Sequence, residues 1–146
     1  MASAIVAALH SLALAIGLPA VFLRGRALKQ LPEPDAFSRL FLADAAWGLA
    51  AVLWLMTGAA RAFGSLEKGT AYYMQSRLFW VKMALFIVVF VLEIAPMVTF
   101  LRWRKSIRNH QTVDLEPVAG LFFLNQAELV VVVAIVFVAS FMARGF

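Results

Sequence analysis

An all-α, integral membrane four-helix bundle with up-down topology is the fold the sequence predicts, and three observations predict it. The 146 residues are 64% hydrophobic and only 14% charged, where a soluble domain carries roughly 25% charged residues. Four apolar runs are each long enough to cross a hydrocarbon core of about 30 Å. The connections between these runs are short, which favours antiparallel neighbours. At this length the chain reads as one transmembrane domain, residues 1–146.

The first helix is expected at about residues 4–23. Residues 1–23 carry no charged side chain, and the run ends at Arg24 and Arg26. A signal peptide would show a basic n-region and a shorter apolar core, so the segment reads as a retained transmembrane helix. Its one strongly polar side chain is His10, which shares a face with Leu14, Gly17 and Val21. Arg24 to Asp35 reads as a connector broken by its Pro-Glu-Pro-Asp segment, with Asp35 or Ser38 as the N-cap of the next helix.

The second helix is expected at about residues 36–62. Asp44, Gly48, Ala51 and Gly58 fall near one stripe, and small residues on a stripe let backbones approach in lipid. Trp47 and Trp54 are apolar anchors whose indole N–H groups need a polar partner. The segment from Phe63 to Arg77 reads as a polar loop, with Tyr72 and Tyr73 at the membrane interface and Trp80 just inside the third helix.

The third helix, at about residues 78–101, is long enough to cross a bilayer and holds only two charges, Lys82 and Glu93. Eleven positions separate them, close to three turns, so both project from one face with Phe86, Val89 and Met97. A charge facing lipid costs several kcal/mol, so this face is expected to point into the bundle. Trp103 reads as an interfacial residue and His110 as a solvated side chain in a basic loop. The fourth helix, at about residues 117–143, is interrupted by Asn125, Gln126 and Glu128 in its first half and nearly pure apolar thereafter.

Composition excludes several classes of function. There is no cysteine, hence no disulfide, thiolate metal site or cysteine nucleophile. The net charge is +5, but the basic residues flank apolar runs, so they report topology and no nucleic-acid partner is expected. Counted over the short loops, eight Lys and Arg on the side of the first and third connections face four on the other. This bias puts both termini outside the cytoplasm.

The same orientation sorts the intramembrane polar residues into two layers. His10 and Lys82 form an outer layer. Asp44, Glu93, Asn125 and Glu128 form an inner one, with Glu93 roughly 16 Å deeper than Lys82 along their helix. Each layer has two readings. The outer pair fits a cofactor site, since imidazole is a common axial ligand of haem and bundles hold haem between helices; equally, His10 can hydrogen-bond across helices while Lys82 snorkels to the interface. The inner group fits a proton path, or a structural network. Three carboxyls close together in low dielectric would not all ionise.

Several segments carry a resemblance. AALHSLALA, DAAWGLAAVLWLMTG, FGSLEKGTAYY and LFWVKMALF with LEIAPMVTFLRWRK resemble an uncharacterised bacterial family of small four-helix membrane proteins, over nearly the full chain. More distantly, Ala8-Leu9-His10 and Trp80-Val81-Lys82-Met83-Ala84-Leu85 resemble segments of the HemJ-type protoporphyrinogen oxidases. That likeness implies a b-type haem (haem b) held by His10 and Lys82, with His10 on the iron, and a haem-dependent oxidoreductase activity. The first resemblance implies a bacterial inner-membrane location. Three functions are therefore weighed: a haem-binding redox protein, a non-enzymatic subunit or assembly factor partnered by another membrane protein or a second copy, and a small proton-coupled transporter using Glu93 and Glu128.

Overall fold

The structure, a computed structural model, describes residues 1–64 and 74–144. Among them are four helices and no strand: α1 (Ala2–Gln30), α2 (Pro34–Phe63), α3 (Arg77–Arg108) and α4 (Val118–Ala143). All four are long and apolar enough to span a membrane. Tyr72 and Tyr73 lie outside the described residues.

Each helix buries one stripe, and the stripes share a spacing that alternates three and four residues. On α2 the buried residues include Ala36, Leu40, Ala43, Trp47, Ala50, Trp54 and Thr57. On α4 they include Leu121, Asn125, Glu128, Val132 and Ile135. On α3 Phe79, Val89, Pro96, Phe100 and Trp103 are buried, with Lys82, Phe86 and Glu93 half-buried in the same register. This is the seam pattern of helices that cross at a shallow angle. The α1 backbone packs closely on α2 and on α4, and α3 packs on α4. The α2–α3 seam is filled by large side chains instead, including Trp54 against Phe86 and Phe37 against Trp103.

Several sequence expectations are corrected here. α1 does not stop at residue 23 but continues to Gln30, because Arg24 and Arg26 are no obstacle to helix and the polar segment lies past the apolar run. The connector shrinks to residues 31–33. Glu33, not Asp35 or Ser38, is the N-cap of α2, since Pro34 takes the first helical position, where its missing N–H is harmless. Met97 leaves the buried face of α3, and Pro96 and Phe100 occupy that register. Gly48 faces outward with nothing near it, so the close-packing small residues of α2 are Ala36, Ala43 and Ala50. Trp103, expected at the interface, is buried between Phe37 and Phe100 within the bundle.

The core is layered along the bundle axis. One apolar cluster (Leu28, Leu40, Phe100, Trp103 and Leu121 among others) sits at the end with the first and third connections. A second (Val21, Trp47, Trp54, Val89, Val132 and Ile135 among others) fills the middle. A third, of Ala62, Phe79 and Met142, sits at the opposite end. Polar residues occupy the two levels between these clusters.

Candidate functional site

The inner polar level is built around a residue that the sequence presents as a loop charge. Arg24 is fully buried, and every nitrogen of its guanidinium is engaged. Nε donates to Asn125 Oδ1 at 2.8 Å. Nη1 donates to both Glu93 oxygens, at 2.9 and 3.0 Å, and more distantly to Asp44 Oδ1 at 3.4 Å. Nη2 donates to Glu128 Oε2. The Phe100 ring lies 5.9 Å below the guanidinium carbon. Arg24 thus gathers the four inner-layer residues Asp44, Glu93, Asn125 and Glu128, and ties α1 to α2, α3 and α4 at once.

The shell around this centre is equally specific. Asn125 Nδ2 donates to the Val21 carbonyl at 3.1 Å, which leaves its Oδ1 to face Arg24. Trp47 Nε1 donates to Glu93 Oε2 at 3.3 Å, supplying the polar partner this indole needs. Arg104 Nη2 bridges Asp44 Oδ2, at 3.1 Å, and the Phe41 carbonyl, at 3.2 Å. A Cβ on Gly25 would stand 2.6 Å from Asn125 Nδ2, so only glycine lets α1 and α4 approach beside the cluster.

The charges do not balance. Asp44, Glu93 and Glu128 supply three carboxyls against two guanidiniums, Arg24 and Arg104. One carboxyl oxygen, Glu128 Oε1, is buried with no hydrogen-bond partner among the described residues. Leaving such an atom unmatched is costly in low dielectric. The cluster is sealed toward the bundle middle by Val21, Val89, Val132 and Ile135. It opens sideways, because the side chains of Asp44 and Glu93 are 19% and 23% exposed and that of Arg104 is 41% exposed.

A family model described as "Predicted membrane protein (DUF2214)" matches residues 2–146. The chain belongs to this family. The likeness to an uncharacterised family of membrane proteins is thereby borne out, while nothing found supports the likeness to the HemJ-type oxidases, and the four apolar helices of this DUF2214 chain are each long enough to span a bilayer. No curated protein and no solved structure matches it.

The outer level of this DUF2214 chain brings His10 and Lys82 to one cleft, with Trp54, Gly58, Phe79 and Phe86. His10 Nδ1 lies 2.8 Å from Thr57 Oγ1. The Thr57 hydroxyl donates its single proton to the Leu53 carbonyl at 2.7 Å. With that hydroxyl turned to the backbone, Nδ1 is placed to donate to Thr57 Oγ1, which anchors the ring. Trp54 stacks obliquely 5.8 Å from the imidazole, and Lys82 Nζ lies 5.7 Å from the Phe79 centroid.

A haem can be tested against this cleft. The donor set fits: an imidazole with its Nδ1 anchored, as ligating histidines are held, and a lysine on the facing helix. The space does not. The cleft holds about 120 Å³, where a site that buries a drug-sized ligand needs roughly 300–1,000 Å³. Among the described residues no group of three or more His, Asp or Glu side chains is arranged to hold a metal ion.

Sequence reasoning missed Arg24, Thr57 and Arg104 as members of these levels. Arg24 and Thr57 carried a usable signal, since Arg24 lies on the His10–Gly17–Val21 face and Thr57 on the Trp47–Ala50–Trp54 stripe. His110 joins neither level; it is exposed beyond α3.

Proposed function

We propose that this membrane protein is proton-coupled, and that Glu128, facing Glu93, is its proton site. The observation that carries this reading is the buried, unpartnered Glu128 Oε1 inside a cluster with one more carboxyl than guanidinium. A proton on Glu128 supplies the missing positive charge, and its O–H can donate to the Glu93 carboxylate. The groups around the pair come from three helices: Arg24 from α1, Asp44 and Trp47 from α2, and Asn125 from α4, with Arg104 of α3 pairing Asp44 at the rim. Glu93 and Asp44 are partly exposed, and Arg104 pairs Asp44 toward the end that carries the first and third connections, which is the side from which this reading has the proton enter. The apolar middle layer argues for a binding site that loads and unloads, and against a continuous channel.

The test is a proton-flux assay in vesicles with a trapped pH-sensitive dye. Wild-type protein should collapse an imposed pH gradient faster than empty vesicles, and Glu128→Gln of unchanged Tm should not. Equal rates for the two proteins would overturn the proposal.

The haem reading has one observation in its favour, the shared cleft of His10 and Lys82, and the volume of that cleft against it. Absorption spectra of the purified protein, oxidised and then reduced, test it: a Soret band lost in His10→Ala would reinstate haem b as the cofactor. The subunit reading is supported by the outward apolar faces of α3 and α4, including Phe90, Val91, Phe123 and Phe137, which lipid covers equally well.

A further inference from the structure

A further cavity lies at neither polar level. It is a groove of about 490 Å³ between α1 and α2, on the outer surface of the bundle. This is within the range of roughly 300–1,000 Å³ typical of ligand sites. Its floor is made of small buried side chains, Ala20, Ala27 and Ala43, which leave room above them. Its walls are apolar over Ile16, Pro19, Leu23 and Leu42. Its polar residues are all at one end: Arg26 and Gln30 on the last turns of α1, and Arg39 on the first turns of α2. Among the described residues no acidic side chain lines it.

The groove's length and polarity match one kind of occupant. From Ile16 to Gln30 the α1 axis rises roughly 21 Å. One leaflet, headgroup region included, is about half of a 40–45 Å bilayer. Two guanidiniums at the interfacial end and an apolar trough running toward mid-depth are complementary to an anionic headgroup joined to an acyl chain. Basic pockets between transmembrane helices commonly recognise such headgroups. Arg26 forms no ion pair among the described residues. Arg39 has one partner there, Glu33, at 3.4 Å, and both are exposed. Exposed pairs of this kind contribute little, so a phosphate can displace Glu33.

We propose that this α1–α2 groove binds an anionic phospholipid, its phosphate between Arg26 and Arg39 and one acyl chain along Leu23, Pro19 and Ile16. The site is independent of the proton reading, since none of Arg24, Asp44, Glu93, Asn125 and Glu128 lines the groove.

The experiment is thermal unfolding of the detergent-purified full chain with phosphatidylglycerol, with phosphatidylcholine of the same acyl chains, and with inorganic phosphate. Two basic residues near a headgroup give roughly a thirtyfold preference for the anionic lipid. The Tm should therefore rise further with phosphatidylglycerol than with phosphatidylcholine, and not at all with phosphate. The double variant Arg26→Gln, Arg39→Gln should lose this difference while keeping its Tm in phosphatidylcholine. If the double variant does not fold, Arg26→Gln alone, at an exposed position, should reduce the preference. Ala46→Phe, which fills the apolar part, should weaken the response to both lipids. Equal Tm shifts for the two lipids, a preference that survives the arginine substitutions, a shift produced by phosphate alone, or a groove occupied by a second copy of the chain in native mass spectra would each overturn the proposal.

Discussion

Arg24 determines more of this molecule than any other side chain. It stands immediately after an apolar run and two positions before another arginine, which is the pattern of a topology-setting loop charge. Burial gives it the opposite role. Removing one member of a buried ion cluster leaves uncompensated charge and typically costs about 3–5 kcal/mol. Arg24→Gln is accordingly expected to lower the Tm of the detergent-purified protein strongly, and adding Glu93→Gln to that variant should restore part of the loss; a mild effect of Arg24→Gln, or no restoration, would show that the carboxyls do not depend on it. Glu128→Gln behaves differently. The amide can accept from Arg24 with its oxygen and present N–H groups where Oε1 lacks a partner, so its Tm should match or exceed wild type, whereas Glu128→Ala should fall well below it. His110 offers a residue-level check away from the membrane. It adopts φ 55 just past α3, while its N–H and that of Gln111 donate to the Ile107 and Ser106 carboxyl-terminal carbonyls. This is the helix-ending position that glycine usually fills. His110→Gly should hold or raise the Tm, by up to about 1 kcal/mol of stability, because the left-handed backbone is strained for a side chain with a Cβ.

At the scale of the element, the number and order of the helices were readable and the stripes only partly so. Apolar run length sets where a helix can cross lipid, and all four runs became helices. The buried register needs a finer signal. The expected α3 face included Met97, because a straight 3.6-residue count from Glu93 reaches it. The packed seam instead drifts through Pro96, Phe100 and Trp103. On α2 the small residues Gly48, Ala51 and Gly58 share a stripe in the sequence, but size alone does not identify the neighbour that a small residue faces. Two glycines make this measurable. Gly25→Ala meets Asn125 at 2.6 Å and should destabilise by about 1–3 kcal/mol. Gly48→Ala meets nothing within 4 Å and should stabilise by about 0.5–1 kcal/mol through helix propensity. Thermal unfolding of both variants, side by side, checks the register of two helices at once.

Over the whole molecule, polar and apolar layers alternate along the bundle axis, and that alternation was legible in part. Grouping Asp44, Glu93, Asn125 and Glu128 at one depth, and His10 with Lys82 at another, followed from helix direction and position. The structure brings each group together, around Arg24 in one case and around one cleft in the other. What depth could not reveal was the counter-charge. Three carboxyls at one level in low dielectric demand cations, and the nearest were counted as loop residues outside the membrane. Moving Arg24 into the bundle also leaves seven basic residues against four across the two sides, so the charge bias weakens but keeps its sign. The outer cleft shows the complementary lesson. Two residues of the right chemistry share a face, yet packing by Trp54, Phe79 and Phe86 decides how much space lies between them.

The central claim, that the inner cluster holds a proton between Glu128 and Glu93, can be measured without any transport assay. Infrared difference spectra of the purified protein across a pH titration report the C=O stretch of a protonated carboxyl in an apolar setting. The account predicts such a band at neutral pH in the wild type, its disappearance in Glu128→Gln, and its persistence in Asp35→Asn, which alters an exposed carboxyl at the start of α2. A wild-type spectrum with no protonated carboxyl at neutral pH, or a band untouched by Glu128→Gln, would contradict it.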